Sequence, residues 1–202
     1  MKLKIIPTIF LSLFIILSIV FCMVYNLNYY EQQYQKHGVY DVFEKDTAIY
    51  LTKNIHRFFK SENELDTIYF KEDEISHLTD VKVFLDSLFK LYFLSIIILF
   101  STIIYYHKHK LNFLTLLKNS SILIIALIIL FGLIYLIFGF DFLFEFFHKI
   151  FFVDNYAFDP NISNMKALFP NSFFQEFLFN ILIRIILVSS LILLINIYHF
   201  FV

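Results

Sequence analysis

Four long apolar stretches most constrain what this 202-residue chain can fold into. They cover residues 3–25, 88–106, 121–140 and 177–201, and each approaches or exceeds the roughly 20 residues that a helix needs to cross a bilayer. Lipid offers no hydrogen-bond partners to an open backbone, so such segments are expected to be helices. Because 59% of the residues are hydrophobic and only 16% are charged, the sequence predicts an all-α integral membrane protein with four transmembrane helices.

Lysine placement predicts how these spans are oriented. Basic residues cluster at the start of the chain and in the connection 107–120, at Lys2, Lys4, Lys108, Lys110 and Lys118. Basic residues in short connections mark the cytoplasmic side of a membrane. We therefore expect both termini and the connection 107–120 in the cytoplasm. Residues 26–87 and 141–176 then form two outer regions, which together make a small, mainly helical extracellular cap.

The first span is expected to stay in the protein as an anchor. Its apolar run exceeds the length of a signal-peptide core, and no small-residue cleavage site follows it. Cys22 is the only cysteine, so the chain can form neither an intramolecular disulfide nor a cysteine metal cluster.

Helical patterns continue through much of the two outer regions. Apolar residues recur at helical spacing in residues 47–59, and an aromatic-rich helical pattern covers 141–152. From Glu72 no proline or glycine interrupts the chain before the second span ends, which predicts one continuous helix. The sequence leaves open whether a short pair of strands forms around residues 68–70.

Two of the seven histidines are the best candidates for chemistry. His77 lies just ahead of the second span, and His148 lies among phenylalanines after the third, so topology places both at the same membrane face. Imidazole titrates near neutral pH and can take or give a proton during a reaction. A buried imidazole also needs a polar partner. The sequence shows no serine-nucleophile elbow and no phosphate-binding glycine loop, which favours histidine acid–base chemistry without a protein nucleophile.

Other polar residues could support these histidines. Glu74, His77 and Asp80 share one side of the predicted helix. The repeated Glu-x-x-His spacing, at Glu74 and again at Glu145, is also compatible with a metal site, although the other spans offer no central glutamate. Arg184 lies about two turns into the fourth span. Its side chain either extends to the lipid headgroups or points into the helix bundle toward an anionic or carbonyl group.

The chain resembles the bacterial lipoprotein intramolecular transacylases, a family of four-span membrane proteins, over nearly its whole length. Four short motifs carry the resemblance: Glu74-x-x-His77-Leu78-x-Asp80-Val81-Lys82, Phe147-His148-x-Ile150-Phe151-Phe152, Leu168-Phe169-Pro170-x-x-Phe173-Phe174 and Arg184-Ile185. Where the family often has tryptophan, this chain has Tyr156 and Phe174, and it contains no tryptophan.

The resemblance implies a specific acyl transfer. Such enzymes move the sn-2 acyl chain of a diacylglyceryl-cysteine lipoprotein to the cysteine α-amine and leave a lyso-form lipoprotein. The family's two catalytic histidines correspond to His77 and His148. We predict that His77 acts as the base and that His148 stabilises the oxyanion or protonates the glycerol oxygen, with an exchange of roles left open. We predict substrate-binding or orienting roles for Glu74, Asp80, Arg184 and Tyr156.

The expected partners are diacylglyceryl-modified lipoproteins and membrane lipids, met by an active site at the outer leaflet of the bacterial cell membrane. No cofactor, metal or nucleic acid is expected, and the oligomeric state stays open. Two other hypotheses are a non-catalytic membrane subunit or receptor with an acidic outer cap, and a metal-dependent membrane enzyme that uses the paired Glu-x-x-His segments.

Overall fold

A computed structural model describes residues 5–152, 158–159 and 161–201. In this part of the chain all regular structure is helical, which confirms the predicted all-α class, and residues 68–70 form no strand. The elements are α1 (Ile5–Val24), α2 (Leu27–Lys36), a 3-10 turn (Val39–Asp41), α3 (Lys45–Phe59), α4 (Glu72–Lys108), α5 (Phe113–Phe151), α6 (Asn164–Leu168) and α7 (Asn171–Phe201).

Four of these helices, α1, α4, α5 and α7, are long and apolar enough to cross a membrane. They carry most of the large apolar side chains that are exposed on the protein, such as Phe100, Leu136 and Leu187. In water such exposure would be costly, whereas lipid tails solvate these groups. The predicted four-helix membrane protein is therefore confirmed.

The helices extend beyond the apolar stretches that predicted them. α4 begins at Glu72 and runs to Lys108 without a break, as predicted. α5 joins the third span to the predicted 141–152 helix across a kink at Gly139, where φ is 77° and ψ is 176°. α7 begins at Asn171 rather than near residue 177, and only residues 109–112 separate α4 from α5. Hydropathy locates the lipid-spanning part of a helix, but the helix ends only where a stop signal ends it.

The chain divides into two compact units. The membrane unit comprises Met1–Cys22, Leu88–Gly139 and Phe179–Val202. In it, the Ser12 hydroxyl donates to the Ser120 carbonyl at 3.2 Å, and the Ser120 hydroxyl donates to the Thr8 carbonyl at 3.1 Å. Both serines are buried. Small polar residues of this kind let two helices approach closely in lipid, and here they join α1 to α5.

The second unit, Met23–Ser87 and Phe140–Leu178, corresponds to the predicted cap and is called the cap unit. An aromatic core holds it together: Tyr30 and Tyr34 of α2 pack on Phe173 of α7, with ring centres 5.4 and 5.9 Å apart. The Tyr34 and Thr52 hydroxyls are hydrogen-bonded at 2.6 Å, which satisfies the polar end of a fully buried ring. This core fixes α2, α3 and the start of α7 relative to one another.

Candidate active site

The cap unit brings His77 and His148 together. His77 lies on α4 and His148 on α5, and their ring centres are 6.0 Å apart with an angle of 15° between the ring planes. Both residues are buried, with relative exposures of 7% and 8%. At this separation one bound group can contact both imidazoles.

Aromatic rings surround the histidine pair. Phe152 lies against both imidazoles, with ring centres 5.0 Å from His77 and 5.3 Å from His148. Phe158 adds a contact to His77 at 5.5 Å, and Phe144 adds one to His148 at 4.1 Å. Such a shell excludes water, so electrostatic interactions inside it are stronger than they would be in solution.

A backbone hydrogen bond fixes the tautomer of His148. Its Nδ1 lies 2.7 Å from the carbonyl oxygen of Phe144, one turn earlier on α5. A carbonyl only accepts, so Nδ1 carries the proton and the lone pair of the neutral ring is on Nε2. His148 is therefore set up to accept a proton at Nε2.

His77 has a different environment. Its Nδ1 is buried and has no hydrogen-bond partner among the described residues. A buried polar atom without a partner costs about 1–3 kcal/mol, which favours a bound group that would satisfy it. Neither Glu74 nor Asp80 forms a hydrogen bond to this nitrogen.

Glu74 anchors a loop instead. It is almost fully buried, with 1% exposure, and one carboxylate oxygen accepts from the Ser163 hydroxyl at 2.6 Å and from the Met165 amide at 2.8 Å. The other oxygen accepts from the Lys71 amide at 2.8 Å. The carboxylate thus ties the loop before α6 to the first turn of α4, one turn from His77. Sequence spacing placed Glu74 correctly on the helix but gave no indication of these partners.

Of the other predicted site residues, two are exposed and one lies outside the described residues. Asp80 is exposed on α4 and acts on His77 only electrostatically. Arg184 is exposed on α7 within the membrane unit. Tyr156 lies outside the described residues.

Lys166 is a neighbour that the sequence interpretation missed. It lies on α6, with its Nζ 5.4 Å from the centre of the Phe144 ring, and it donates a hydrogen bond to the side-chain oxygen of Asn171. It acts electrostatically on both His77 and His148. Burial lowers the pKa of its ammonium. The sequence did contain a signal that could have identified Lys166, because it is the one charged residue in the segment 160–174.

The second Glu-x-x-His segment differs from the first. Glu145 is exposed and forms an ion pair with Lys149 at 2.7 Å, one turn along α5. Within the described ranges there is no group of three or more His, Cys, Asp or Glu side chains that could hold a metal ion. The two segments therefore use their glutamates for different structural contacts.

Comparisons with known proteins show the family and the fold of this chain. A sequence model of the lipoprotein intramolecular transacylase Lit family matches residues 5–174. The solved structure of the membrane integral lipoprotein intramolecular transacylase Lit from Bacillus cereus superimposes with a TM-score of 0.83 at 23% identity, over 98% of this chain and 95% of that one. No curated protein sequence matches significantly.

Two variants of the same Bacillus cereus protein have also been solved. One, with a histidine replaced by alanine, gives a TM-score of 0.81 at 22% identity, over 96% of this chain and 90% of that one. The other, with a histidine replaced by arginine, gives 0.78 at 24% identity, over 98% and 92%. These likenesses establish the fold over almost the entire chain.

Proposed function

Because the chain belongs to the lipoprotein intramolecular transacylase family, we propose that it moves the sn-2 acyl chain of a diacylglyceryl-cysteine lipoprotein to the cysteine α-amine. The protein is a multi-pass membrane transacylase, and the family name implies lipoprotein substrates. The single observation that carries the finer proposal is the stacked imidazole pair, 6.0 Å between ring centres, inside an aromatic shell.

The proposed reaction needs one base and no protein nucleophile. The cysteine α-amine attacks the ester carbonyl carbon, and a C–N bond forms. The amine proton passes to Nε2 of His148. When the C–O bond to glycerol breaks, the same nitrogen returns the proton to the glycerol oxygen. The products are an amide and a glycerol hydroxyl, so no water is consumed.

The hydrogen bond from His148 to Phe144 supports this assignment over the opposite one. When Nε2 gains a proton the ring becomes cationic, and a hydrogen bond from a cationic donor is roughly twice as strong as a neutral one. The Phe144 carbonyl, 2.7 Å from Nδ1, therefore stabilises the protonated intermediate. This choice exchanges the two roles that the sequence predicted.

His77 then serves as the oxyanion donor. Its Nδ1 is the buried ring atom that lacks a partner in the described part of the chain, and an N–H there would donate to the tetrahedral oxyanion. In other enzymes one such donor is worth about 2.7–4 kcal/mol of transition-state stabilisation. The dry aromatic shell increases this effect.

Positioning supplies a further part of the proposed rate acceleration. The amine and the ester belong to one modified cysteine, so the enzyme does not have to bring two molecules together and has only to orient the two groups. Favourable intramolecular cases gain about 7–11 kcal/mol in this way. The proposal places the reaction at the outer leaflet of a bacterial cell membrane, with both termini in the cytoplasm, because membrane-anchored lipoproteins present their lipid chains there. The predicted substrate contacts of Asp80 and Arg184 stay predictions.

Mass spectrometry of lipoprotein N-termini tests this function. The chain is expressed in a bacterial host that lacks lipoprotein N-acylation, and N-terminal peptides are compared with those of the empty host. We expect cysteine that carries an N-acyl group and an S-monoacylglyceryl group. If the protein accumulates in the membrane and the lipoproteins still carry only diacylglyceryl cysteine with a free amine, the proposed function is wrong.

A further inference from the structure

Lys166 places a positive charge beside the imidazole pair. Its Nζ lies 5.4 Å from the centre of the Phe144 ring, and the centre of that ring is 4.1 Å from the centre of His148. The Phe144 carbonyl in turn holds His148 at 2.7 Å. A single phenylalanine thus contacts both the ammonium and the proposed base.

Two contacts keep the ammonium in place and charged. The side-chain oxygen of Asn171 accepts a hydrogen bond from Nζ, and the face of the Phe144 ring attracts a cation. Burial lowers the pKa of Lys166, and both contacts oppose this by favouring the ammonium form. α6 is held by Glu74 through Ser163 and Met165, so the charge is carried on a fixed element.

From this geometry we infer that Lys166 is a further functional residue of the transacylase, whose charge promotes the free form of the substrate amine and stabilises the oxyanion. The inference rests on the proposed function. An α-amine has a pKa of about 7.7–8.0 and attacks only when unprotonated. A nearby cation disfavours the ammonium form and favours developing negative charge. The inference adds no covalent step and no proton transfer.

The other charged groups around the site do not replace this effect. On α4, Asp80 is exposed and carries the opposite charge, and the Glu74 carboxylate is occupied by its three donors. On α5, the exposed Lys149 forms an ion pair with Glu145. Among the described residues, Lys166 is the cation that lies over the Phe144 ring next to His148 and that acts electrostatically on both imidazoles.

The test is the pH dependence of acyl transfer by purified full-length protein in lipid nanodiscs. The probe is a synthetic diacylglyceryl-cysteine lipopeptide with a free α-amine. The rate should rise with pH as this amine loses its proton. Lys166→Gln keeps a donor for Asn171 but removes the charge, so we expect the midpoint of this rise to move upward by about 0.5–1 pH unit, a modest effect for a nearby charge. Lys166→Arg should keep the wild-type midpoint.

Matched controls distinguish a failure of the Lys166 inference from a failure of the proposed function. Lys149→Met removes an exposed lysine next to His148 in sequence and should leave the midpoint unchanged, and Lys166→Met provides a second neutral variant if Lys166→Gln does not fold. A wild-type protein that transfers no acyl chain would contradict the proposed function itself. An active wild type with neutral variants that lose rate equally at every pH would overturn the inference alone, as would Lys166→Arg behaving like Lys166→Gln.

Discussion

Individual replacement of the two imidazoles tests their separate roles. General acid–base groups contribute about 10²–10⁴-fold to a rate, so His148→Asn should reduce acyl transfer by that factor. His77→Asn should reduce it by about 10²–10³-fold, the effect of losing one oxyanion donor. The measurement is the initial rate of amide formation on a synthetic lipopeptide, followed by mass spectrometry.

His107→Asn is the matched control for this pair. His107 is an exposed histidine on the last turn of α4, and its replacement should leave the rate unchanged. Full activity of either variant, with normal thermal stability, would show that the replaced imidazole has no catalytic role, and full activity of both would leave the pair a structural role only. The receptor or subunit hypothesis would then regain support.

Glu74 is expected to stabilise the cap unit rather than to act in the reaction. Glu74→Gln brings an amide group against donors at Ser163, Met165 and Lys71. Hydrogen bonds to charged groups are worth about 1.5–3 kcal/mol, so we expect a clear fall in the melting temperature. Glu72→Gln, at an exposed position in the same helix turn, should change little. An unchanged melting temperature together with lost activity would instead assign the Glu74 carboxylate to the chemistry.

Sequence patterns could identify these residues but not all of their contacts. His77 and His148 stood out because they lie in or next to strongly apolar segments. The predicted topology also placed both at one membrane face. The partners of Glu74 lie 89 and 91 residues away along the chain, and spacing along one helix carries no information about such contacts. Lys166 was missed for the same reason, because its proposed role depends on its contact with the Phe144 ring, which lies on α5.

At the scale of elements, Gly139 allows α5 to change direction between its two halves. Its φ of 77° lies in the region that favours glycine, although a Cβ there would meet no other atom. Gly139→Ala should therefore introduce backbone strain of about 1–3 kcal/mol, lower the melting temperature and disturb the segment that carries His148. Activity should fall with it.

Gly132→Ala is the matched control for this kink. Gly132 lies in the same helix, a Cβ there also meets nothing within 4 Å, and its φ is not in the left-handed region. Alanine is a better helix former than glycine, so stability should stay equal or rise by up to about 1 kcal/mol. Equal effects of the two substitutions would show that the bend does not depend on the conformation of Gly139.

The elements themselves were largely predictable. An uninterrupted helix from Glu72 followed from the absence of proline and glycine, and α4 confirms it. The bend at Gly139 was not predicted, because an isolated glycine inside a helical pattern is tolerated without necessarily marking a bend. The apolar stretch 177–201 marked only part of α7, which begins at Asn171, because hydropathy does not mark the polar first turns of a helix.

For the whole molecule, lysine placement predicts an orientation in the membrane that cysteine labelling can test. In a Cys22→Ser background, Asp41→Cys places a thiol in the predicted outer region and His109→Cys places one in the predicted cytoplasmic connection. Both positions are exposed. An impermeant maleimide should label position 41 on intact spheroplasts and position 109 only after permeabilisation. The reverse pattern would invert the proposed topology and move the histidine pair to the cytoplasmic face.

The most direct test of the account is a crossover experiment with purified protein and two synthetic lipopeptides. One carries an isotope-labelled sn-2 acyl chain, and the other carries a heavier peptide with an unlabelled chain. We predict that every N-acylated product keeps the acyl chain of its own parent, and that His148→Asn forms product about 10²–10⁴-fold more slowly. A product that combines the labelled chain with the heavier peptide would contradict intramolecular transfer. Equal product formation by His148→Asn would contradict catalysis by the imidazole pair.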